Sequence, residues 1–377
     1  MTLTSSTRTE KSPLSPPAVT SADDITVAAV ESLIAETLSS LRSGWVELAA
    51  AVVPRPGVLH TDSVLDLLTG MVESGGKRFR PRMAHCGWVA AGGQRTGSGQ
   101  ADLIRIGAAL ELLHVFALIH DDVMDSSETR RGRPSVHASA RRQHIRLHGL
   151  GDASRYGENI AILAGDLAHS EADLLVASLP APLQSLWRTL IVELMLGQGR
   201  DLVGAANGRR DLAHAREVAR AKSGAYTVGR PLQLGAVAAG AGPETLAALE
   251  RYGRAVGEAF ALRDDILGVL GDPLQTGKPV GDDLTAGKPT VLLALATQRF
   301  SPSWRRALDR AGSGRATGAR VRALQNELVR SGVISDVETM IEDQVATAFR
   351  ALDDPAIDPA AAEGLAALAR RVAWRTT

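Results

Sequence analysis

Apolar residues recur at intervals of three and four along almost the whole chain after Asp24, the spacing that places them on one face of an α-helix. These segments are rich in Ala, Leu, Arg and Glu, which are strong helix formers, and the alternation of a β-strand is absent. The pattern therefore predicts an all-α fold, with helices over residues 25–52, 61–73, 79–91, 101–124, 157–178, 183–204, 211–241, 243–270, 302–312, 316–331, 334–352 and 358–374.

Proline and glycine clusters mark the ends of these segments, but no linker and no fixed repeat divides the chain. We therefore expect one all-helical domain over residues 25–377. Residues 1–24 are rich in Ser, Thr and Pro and are expected to form a disordered tail. They lack the apolar core of a signal peptide, and no run of about 18 uncharged apolar residues predicts an integral membrane segment.

Charge and cysteine content narrow the possible functions. The chain of 377 residues carries 42 Lys and Arg against 42 Asp and Glu, so no overall field favours nucleic acid or an anionic membrane surface. Cys86 is the only cysteine, which excludes a disulfide framework and a cysteine-based zinc site and fits a reducing compartment. We expect a soluble, cytoplasmic protein whose electrostatic function is local.

Three aspartates lie at the end of the helix predicted over residues 101–124. Asp121 and Asp125 are four positions apart and share a helix face, and Asp122 lies beside them. Like charges repel, and a helix C-terminus is the negative end of the macrodipole, so the cluster favours a bound cation. Mg2+ is the natural candidate, because it prefers one or two carboxylates completed by waters and substrate phosphates. The alternative is a solvated acidic helix end paired with the arginines of the following TRRGRP stretch.

A second acidic pair, Asp264 and Asp265, lies within the apolar helix predicted over residues 243–270. Charge in an apolar run is costly unless a partner offsets it. Two helices that each carry acidic residues would face each other across a helical bundle and hold metal ions between them. That geometry suits a diphosphate substrate.

Basic residues supply the other half of such a site. Gly75 and Gly76 form a flexible turn that presents Lys77 and Arg80. Five further basic residues lie near helix breakers or beside the acidic motifs: Arg130, Arg131, Lys222, Lys278 and Lys288. Arginine binds diphosphates through its planar fork and lysine as a point charge, whereas each residue taken singly also fits a solvated surface.

His114 precedes Asp121 by seven residues, which is two helical turns, so both side chains share one helix face. In that position the imidazole would donate a hydrogen bond to a phosphate. The alternative is a core histidine with a local partner.

Seven motifs carry a resemblance to a known family. They are GGKRFRP, HDDVMDSSETRRGRPSVH, GENIAILAGDL, GQGRDL, KSGAY, GEAFALRDDILG and GKPVGDDLTAGKPT. In this order, over roughly residues 35–350, they resemble the motifs of the trans-isoprenyl diphosphate synthases, also called polyprenyl synthetases. The resemblance is greatest to a short-chain geranylgeranyl diphosphate synthase. It implies the isoprenoid synthase fold, a single helical bundle with a central cavity, usually assembled as a homodimer.

The resemblance also implies a reaction, the condensation of isopentenyl diphosphate with an allylic diphosphate, and roles for individual residues. Three Mg2+ ions on the allylic diphosphate are expected to be bound by Asp121, Asp125 and Asp264, with support from Asp122 and Asp265. The same diphosphate is expected to contact Arg130, Lys222 and Lys278, and Lys288 is counted among the substrate-binding residues. The isopentenyl diphosphate pocket is expected to contain Lys77, Arg80, His114 and Arg131. Positions near the metals and the reacting carbons are Gln198, Asp201 and Ser223.

Two positions of the second acidic motif depart from the family pattern. The usual Gln three residues before the first Asp is Ala261, and the usual third Asp is Gly268. These departures permit a second hypothesis, a weakly active or regulatory subunit of another synthase. A terpene cyclase of the same fold is a third hypothesis, but this chain has only five Phe, three Tyr and five Trp with which to shield a carbocation.

Product length is predicted from the residues one turn before the first acidic motif, because the growing chain would run along that helix toward its N-terminus. Ala117, four residues before Asp121, is small and leaves space. Phe116, five residues before, would close the cavity somewhat deeper, which favours geranylgeranyl diphosphate, C20, over farnesyl diphosphate, C15. The alternative is that Phe116 only packs the core.

Overall fold

The computed structural model describes residues 21–49, 57–94, 98–271, 281–312 and 317–376, and this part of the chain is almost entirely helical. Its first half contains α1 (Ser21–Ala49), α2 (Asp62–Glu73), α3 (Phe79–Ala90), α4 (Ser98–Met124), α5 (Val136–Arg146), α6 (Ala153–Ala177) and α7 (Ala181–Ala206). Helix α8 (Leu212–Val218) continues through a π-helical segment (Ala219–Gly229) into α9 (Arg230–Ala238). The remaining helices are α10 (Pro243–Leu270), α11 (Asp282–Ala286), α12 (Val291–Arg299), α13 (Pro302–Arg310), α14 (Gly318–Arg330), α15 (Val333–Leu352) and α16 (Pro359–Ala373).

Helix α4 is the core helix of the first part of the bundle, because it is apolar on nearly every face. It contacts α1, α2, α3, α5, α6 and α9, and Ile106, Leu110 and Leu113 are fully buried. By length and composition the stretch Gly99–Met124 would suffice to cross a membrane, but 67% of its most apolar window is buried inside the fold. Helix α10 packs against the π-helical segment, α15 and α16 in the second part. The ends of α4 and α10 carry the two acidic motifs.

Glycines allow the π-helical segment to pack backbone against backbone on its neighbours. A Cβ on Gly224 would lie 2.9 Å from the backbone of Gly257 on α10. On the other side, a Cβ on Gly197 of α7 would lie 2.7 Å from the backbone nitrogen of Lys222. Side chains at these glycines would push the segment away from both helices. π-Helical turns occur frequently at functional sites. This segment carries two predicted site residues, Lys222 and Ser223.

A short β-hairpin follows α4, although the sequence pattern predicts no strand. Strands β1 (Thr129–Arg130) and β2 (Arg133–Pro134) pair in antiparallel fashion. Arg131 and Gly132 form the turn with φ values of 53° and 71°, and two positive φ angles are the signature of a type I′ turn. The prediction of no strand is wrong here because a two-residue ladder is too short to show an alternating pattern.

The all-α prediction is confirmed, and most predicted helices are present within a few residues of their expected bounds. The helix predicted over residues 211–241 is instead α8, the π-helical segment and α9 in succession. The pattern does not predict α5, which is strongly polar, or α11, which has five residues. It also misses α12, a short helix whose first six residues are all apolar and therefore show no helical periodicity. The predicted end of the first helix, residues 50–52, lies outside the described residues.

Helix α1 begins within the segment predicted as a disordered tail, residues 1–24. Arg82 of α3 donates to Asp23 at 2.7 Å and to Asp24 at 3.0 Å. The last residues of that segment are therefore ordered by contact with α3, which corrects the predicted boundary. The rest of the predicted tail, residues 1–20, lies outside the described residues.

Candidate active site

Lys222 connects the first acidic motif to α7. Its Nζ donates to Asp121 Oδ1 at 3.0 Å and to Asp201 Oδ2 at 2.6 Å. Burial lowers the pKa of Lys222, but the two carboxylates outweigh burial and raise this pKa above its usual value. Burial raises the pKa of Asp121, whereas Lys222, Lys288 and Arg130 lower it far below its usual range. The structure thus brings predicted site residues from α4, α7 and the π-helical segment into contact.

Lys288 connects the first acidic motif to the second. Its Nζ donates to Asp125 Oδ2 at 2.6 Å and lies 3.8 Å from Asp283 Oδ1. The Asp283 carboxylate lies against Gly268 of α10, where a Cβ would be 2.1 Å from Asp283 Oδ2. Gly268 is one helical turn after Asp264, so the acidic ends of α4 and α10 border the same region. Sequence reasoning missed Asp283, although its motif GKPVGDDLTAGKPT marks the segment.

Arg375 binds the second acidic motif from near the C-terminal end of the chain. Its guanidinium donates to Asp264 and lies 4.0 Å from the ring centroid of Phe260, one turn earlier on α10. Burial and the charge of Arg375 lower the pKa of Lys77, and the charge of Asp264 opposes this shift only in part. Lys77 and the GGKRFRP turn therefore lie near Arg375 and Asp264. Sequence reasoning also missed Arg375, because a lone cation in the VAWRTT stretch follows no pattern.

The second aspartate of each acidic motif makes a hydrogen bond that supports the site. Asp122 is 1% exposed and accepts from Arg130 Nε through both carboxylate oxygens. Asp265 accepts from the backbone N–H of Val291, the first residue of α12, at 2.9 Å. Burial, reinforced by Asp283, raises the pKa of Asp265 well above its usual value. Asp122 therefore fixes Arg130, and Asp265 fixes the start of α12.

Arg80 and His114 meet at the π-helical segment. Arg80 is 8% exposed, donates to Thr227 Oγ1 at 3.1 Å and lies 4.2 Å from the ring centroid of Tyr226. The Tyr226 hydroxyl lies 3.3 Å from His114 Nδ1. Burial, reinforced by the surrounding arginines, holds the pKa of His114 well below its usual value, so the imidazole is neutral. A neutral imidazole donates through one nitrogen and accepts through the other.

Arg131 joins the hairpin to the glycine turn before Lys77. Its guanidinium donates to the carbonyl of Gly75 and to Ser74 Oγ at 3.1 Å. A Cβ on Gly76 would lie 2.9 Å from Arg131 Nη2, so a larger residue there would displace the guanidinium. Lys77 is exposed beside this contact. The four residues predicted for the isopentenyl diphosphate pocket therefore come from four elements: Lys77 from the turn before α3, Arg80 from α3, His114 from α4 and Arg131 from the hairpin.

Two other predicted site residues, Gln198 and Ser223, lie at the edges of this region. Gln198 on α7 donates to the sulfur of Met124, at 3.3 Å, beside the end of α4. Ser223 is half-buried in the π-helical segment next to Lys222. Ala261, which replaces the usual Gln, is 2% exposed within α10. Lys278 lies outside the described residues.

Phe116 lies between two imidazole rings in the core around α4. It is 7% exposed, and its ring centroid lies 4.5 Å from that of His120 and 4.7 Å from that of His169 on α6. Ala117 is half-buried against the same core cluster. The predicted floor of the cavity is therefore an aromatic stack that joins α4 to α6.

The donor set of this region suits a hard divalent cation shared with a substrate. Among the described residues, no three His, Cys, Asp or Glu side chains are grouped so that they hold a metal ion by themselves. The carboxylates pair instead with cations: Asp121 with Lys222, Asp125 with Lys288 and Asp264 with Arg375. Mg2+ is commonly held by one or two carboxylates together with substrate phosphates, so these aspartates fit Mg2+ that arrives with a diphosphate.

Known proteins resemble this chain over most of its length. Residues 61–328 match the family described as polyprenyl synthetase. A short chain isoprenyl diphosphate synthase from Methanothermobacter thermautotrophicus is 33% identical over 249 residues, which cover 65% of this chain and 70% of that protein. A geranylfarnesyl diphosphate synthase from Aeropyrum pernix is 35% identical over 238 residues, which cover 61% of this chain and 69% of that protein.

Solved structures share the whole fold. A geranylgeranyl pyrophosphate synthase from Corynebacterium glutamicum, complexed with isoprenyl diphosphate and magnesium, has a TM-score of 0.85 and 37% identity, covering 94% of this chain and 99% of that chain. A geranylgeranyl pyrophosphate synthetase from Pyrococcus horikoshii has a TM-score of 0.71 and 26% identity, covering 94% and 97%. The predicted isoprenoid synthase fold is thereby confirmed. Together with the family match, this agreement shows that the chain belongs to the polyprenyl synthetase family, the trans-isoprenyl diphosphate synthases.

Proposed function

We propose that this protein is a short-chain prenyltransferase that condenses isopentenyl diphosphate with an allylic diphosphate, with geranylgeranyl diphosphate, C20, as the product and farnesyl diphosphate, C15, as the shorter alternative. One observation carries the proposal. The contact from Asp125 through Lys288 and Asp283 to Gly268 brings both acidic motifs to one region, beside the cations of the Lys77 turn. A synthase needs two adjacent diphosphate sites, and this arrangement supports the assignment of both.

The allylic diphosphate belongs on the acidic side of this region. Asp121, Asp125 and Asp264 would hold three Mg2+ ions, whose chemistry is to neutralise the charge that develops on the departing diphosphate. Lys222 and Lys288 now donate to aspartates, and in the complex they would exchange these partners for phosphate oxygens. Further contacts to this diphosphate are assigned to Arg130 and Lys278.

Isopentenyl diphosphate belongs on the cationic side. Lys77 binds its diphosphate as a point charge, and Arg131 binds it through the planar guanidinium. The hydrogen bond to Thr227 holds Arg80 in position to bind the same diphosphate. The neutral His114 would donate a hydrogen bond from the ring nitrogen that does not face Tyr226. The pocket thereby orients the substrate's double bond toward the allylic carbon, which is mainly a positioning task.

The reaction then requires no covalent step on the protein. The allylic carbon–oxygen bond breaks and the electron pair leaves with the diphosphate. The double bond of isopentenyl diphosphate attacks the allylic cation, and a proton is lost from the condensed product to the departed diphosphate. We therefore assign no side chain as a base, and Gln198 and Ser223 serve only near the metals and the reacting carbons.

Chain length is assigned to the residues before the first acidic motif. The growing chain would pass Ala117, whose small side chain leaves room, and stop at Phe116. The support is the stack of Phe116 on His120 and His169, because it holds the ring rigidly between α4 and α6. A rigid floor at this depth supports C20 rather than C15.

A homodimer is proposed from the surface of α6 and α7. These neighbouring helices expose large apolar side chains: Ile162, Leu163, Leu174, Val192, Met195, Leu196 and Val203. Exposed apolar patches of this kind mark protein interfaces. Leu163→Glu combined with Leu196→Glu is expected to convert a dimer to a monomer in light scattering, whereas Leu48→Glu on α1, also exposed, leaves the mass unchanged. A monomeric wild-type protein contradicts the dimer.

The cytoplasm is the proposed location. Cys86 is the only cysteine of the chain, and burial raises the pKa of its thiol to about 12. A thiol in this state is protonated at neutral pH and reacts slowly with disulfides. The protein thus has no cysteine chemistry that an oxidising compartment would use.

The test of the function is direct. The purified protein is incubated with Mg2+, isopentenyl diphosphate and, in separate reactions, dimethylallyl, geranyl or farnesyl diphosphate, and the products are separated by chain length. We expect a linear C20 diphosphate. A cyclic hydrocarbon from one diphosphate alone would show a terpene cyclase. Absence of condensation with every starter would favour a regulatory subunit.

A further inference from the structure

Arg78 lies between Lys77 and α3 in a backbone conformation that few non-glycine residues adopt. Its φ of 48° is in the left-handed region, which is unfavourable for a residue with a Cβ and persists only where contacts enforce it. Arg78 is also the N-terminal cap position of α3. Its conformation therefore sets both the direction of the Lys77 turn and the start of the helix that carries Arg80.

Two glutamates hold Arg78 in place. Its Nε donates to Glu31 Oε1 on α1 and its Nη1 to Glu111 Oε2 on α4, each at 3.0 Å. The side chains of Arg78 and Glu111 are only 12% and 4% exposed. Burial lowers the pKa of Arg78, but the glutamates outweigh burial and raise it, so the guanidinium stays charged. A buried ion pair of this kind defines one conformation, because breaking it leaves an uncompensated charge.

Glu111 also faces the cationic pocket. It lies one helical turn before His114 on α4. Burial lowers the pKa of Arg131, and the Glu111 carboxylate partly opposes this shift, so the two side chains are electrostatic neighbours. Glu111 Oε1 is buried and has no hydrogen-bond partner within the described part of the chain. Its negative charge thus offsets the positive charge collected around the pocket.

We infer that Arg78 and Glu111 are positioning residues for the isopentenyl diphosphate pocket, an inference that rests on the proposed function. Consecutive side chains diverge, so anchoring Arg78 in the interior leaves Lys77 exposed at the pocket. The same anchor holds the first turn of α3, which carries Arg80 and its hydrogen bond to Thr227. Neither residue is assigned a contact with the substrate: Arg78 acts through the backbone of the turn, and Glu111 acts mainly by holding Arg78.

The test compares Arg78→Gly with Arg78→Ala in steady-state kinetics for both substrates. Both changes remove the anchor, but only glycine relieves the left-handed strain. We expect both variants to raise the KM for isopentenyl diphosphate by about tenfold to a hundredfold, with the KM for the allylic diphosphate changed by less than about twofold. Arg78→Lys, which can bind only one glutamate at a time, is expected to lie between them and the wild type.

Arg82 supplies the matched control. It lies on α3, as Arg80 does, and its ion pairs with Asp23 and Asp24 join α3 to α1 away from the pocket. Arg82→Ala therefore loses comparable ion pairs and is expected to keep the wild-type KM for isopentenyl diphosphate. Adding Glu111→Gln to Arg78→Gly is expected to do no more harm than the worse single change, because the two residues act as one unit.

Four outcomes overturn the inference. A wild-type KM for isopentenyl diphosphate in Arg78→Gly would show that the anchor is not needed. An equal rise in both KM values, or a loss explained by a lower unfolding temperature, would show a general structural role. If the wild type condenses no starter, the proposed function fails, and calorimetric titration with isopentenyl diphosphate then decides: the same Kd for wild type and Arg78→Gly overturns the inference.

Discussion

The carboxylate of Asp283 fills the space beside Gly268, because a Cβ at position 268 would lie only 2.1 Å from Asp283 Oδ2. The second acidic motif lacks its usual third aspartate at this glycine. A carboxylate from α11 lies there instead, within 3.8 Å of Lys288. The departure from the family pattern therefore leaves the region with an acidic group at nearly the same place.

Gly268→Ala is expected to lower the free energy of unfolding by about 1–3 kcal/mol, the usual cost of overpacking, and to lower activity because Asp283 must move away from Lys288. Urea unfolding and steady-state rates measure these effects. Gly70→Ala on α2 is the control, since a Cβ there meets nothing within 4 Å. Combining Gly268→Ala with Asp283→Ala should recover the stability, and a double variant as unstable as Gly268→Ala contradicts the steric explanation.

Arg375→Ala is expected to lower the Mg2+ concentration needed for half-maximal activity. The guanidinium of Arg375 donates to Asp264 and competes with a metal ion for that carboxylate. The change should be up to about fivefold, the range of a partly exposed ion pair. Arg370→Ala on α16 is the control, because Arg370 lies over the ring of Phe349 on α15. An unchanged or higher Mg2+ requirement would refute the competition.

Phe116→Ala is expected to lengthen the product beyond C20. Removing the ring opens the floor between α4 and α6 and leaves His169 as the next wall. Product chain lengths from farnesyl diphosphate and isopentenyl diphosphate provide the measurement. Val115→Ala, which truncates a buried neighbour, should alter stability without altering length. If Phe116→Ala gives the wild-type product, Phe116 only packs the core.

His114→Gln is expected to weaken the loss of stability in mild acid. Burial and nearby arginines hold the pKa of His114 below the value of 6.5 that applies to the unfolded chain. Below pH 6.5 the unfolded chain therefore binds a proton that the folded protein does not bind, so the stability from neutral His114 is complete above that pH and falls as pH decreases.

The limiting slope for one such group is about 1.4 kcal/mol per pH unit. Urea unfolding between about pH 7 and pH 5 measures the slope for both proteins. The pKa of His137 is also lowered by burial, but His137 is present in both proteins and cancels in the comparison. Identical slopes would show that His114 does not carry this proton linkage.

The sequence predicted those features of the fold and of the candidate site that depend on the local spacing of residues. Helical periodicity is repeated over many turns, so the all-α fold and most helices follow from it. The four-residue spacing of Asp121 and Asp125 places both on one face, and the motif order indicates which basic residues accompany them. The π-helical segment was not predicted, because its glycine contacts with α7 and α10 join distant parts of the chain and leave no local spacing signal.

The sequence pattern could not predict contacts between distant parts of the chain. The bond of Lys288 to Asp125 spans 163 positions, and that of Arg375 to Asp264 spans 111. Neither pairing leaves a local signal, since any surface cation would look the same in the sequence. The stack of His169 on Phe116 is hidden for the same reason.

The π-helical segment has a consequence for insertions and deletions in the KSGAY motif. Lys222 reaches Asp121 and Tyr226 reaches His114, two contacts with α4 that are made from one short stretch. Deleting one residue between Lys222 and Tyr226 would rotate one side chain relative to the other about the helix axis and break one of these contacts. The length of this stretch is therefore constrained more tightly than its composition.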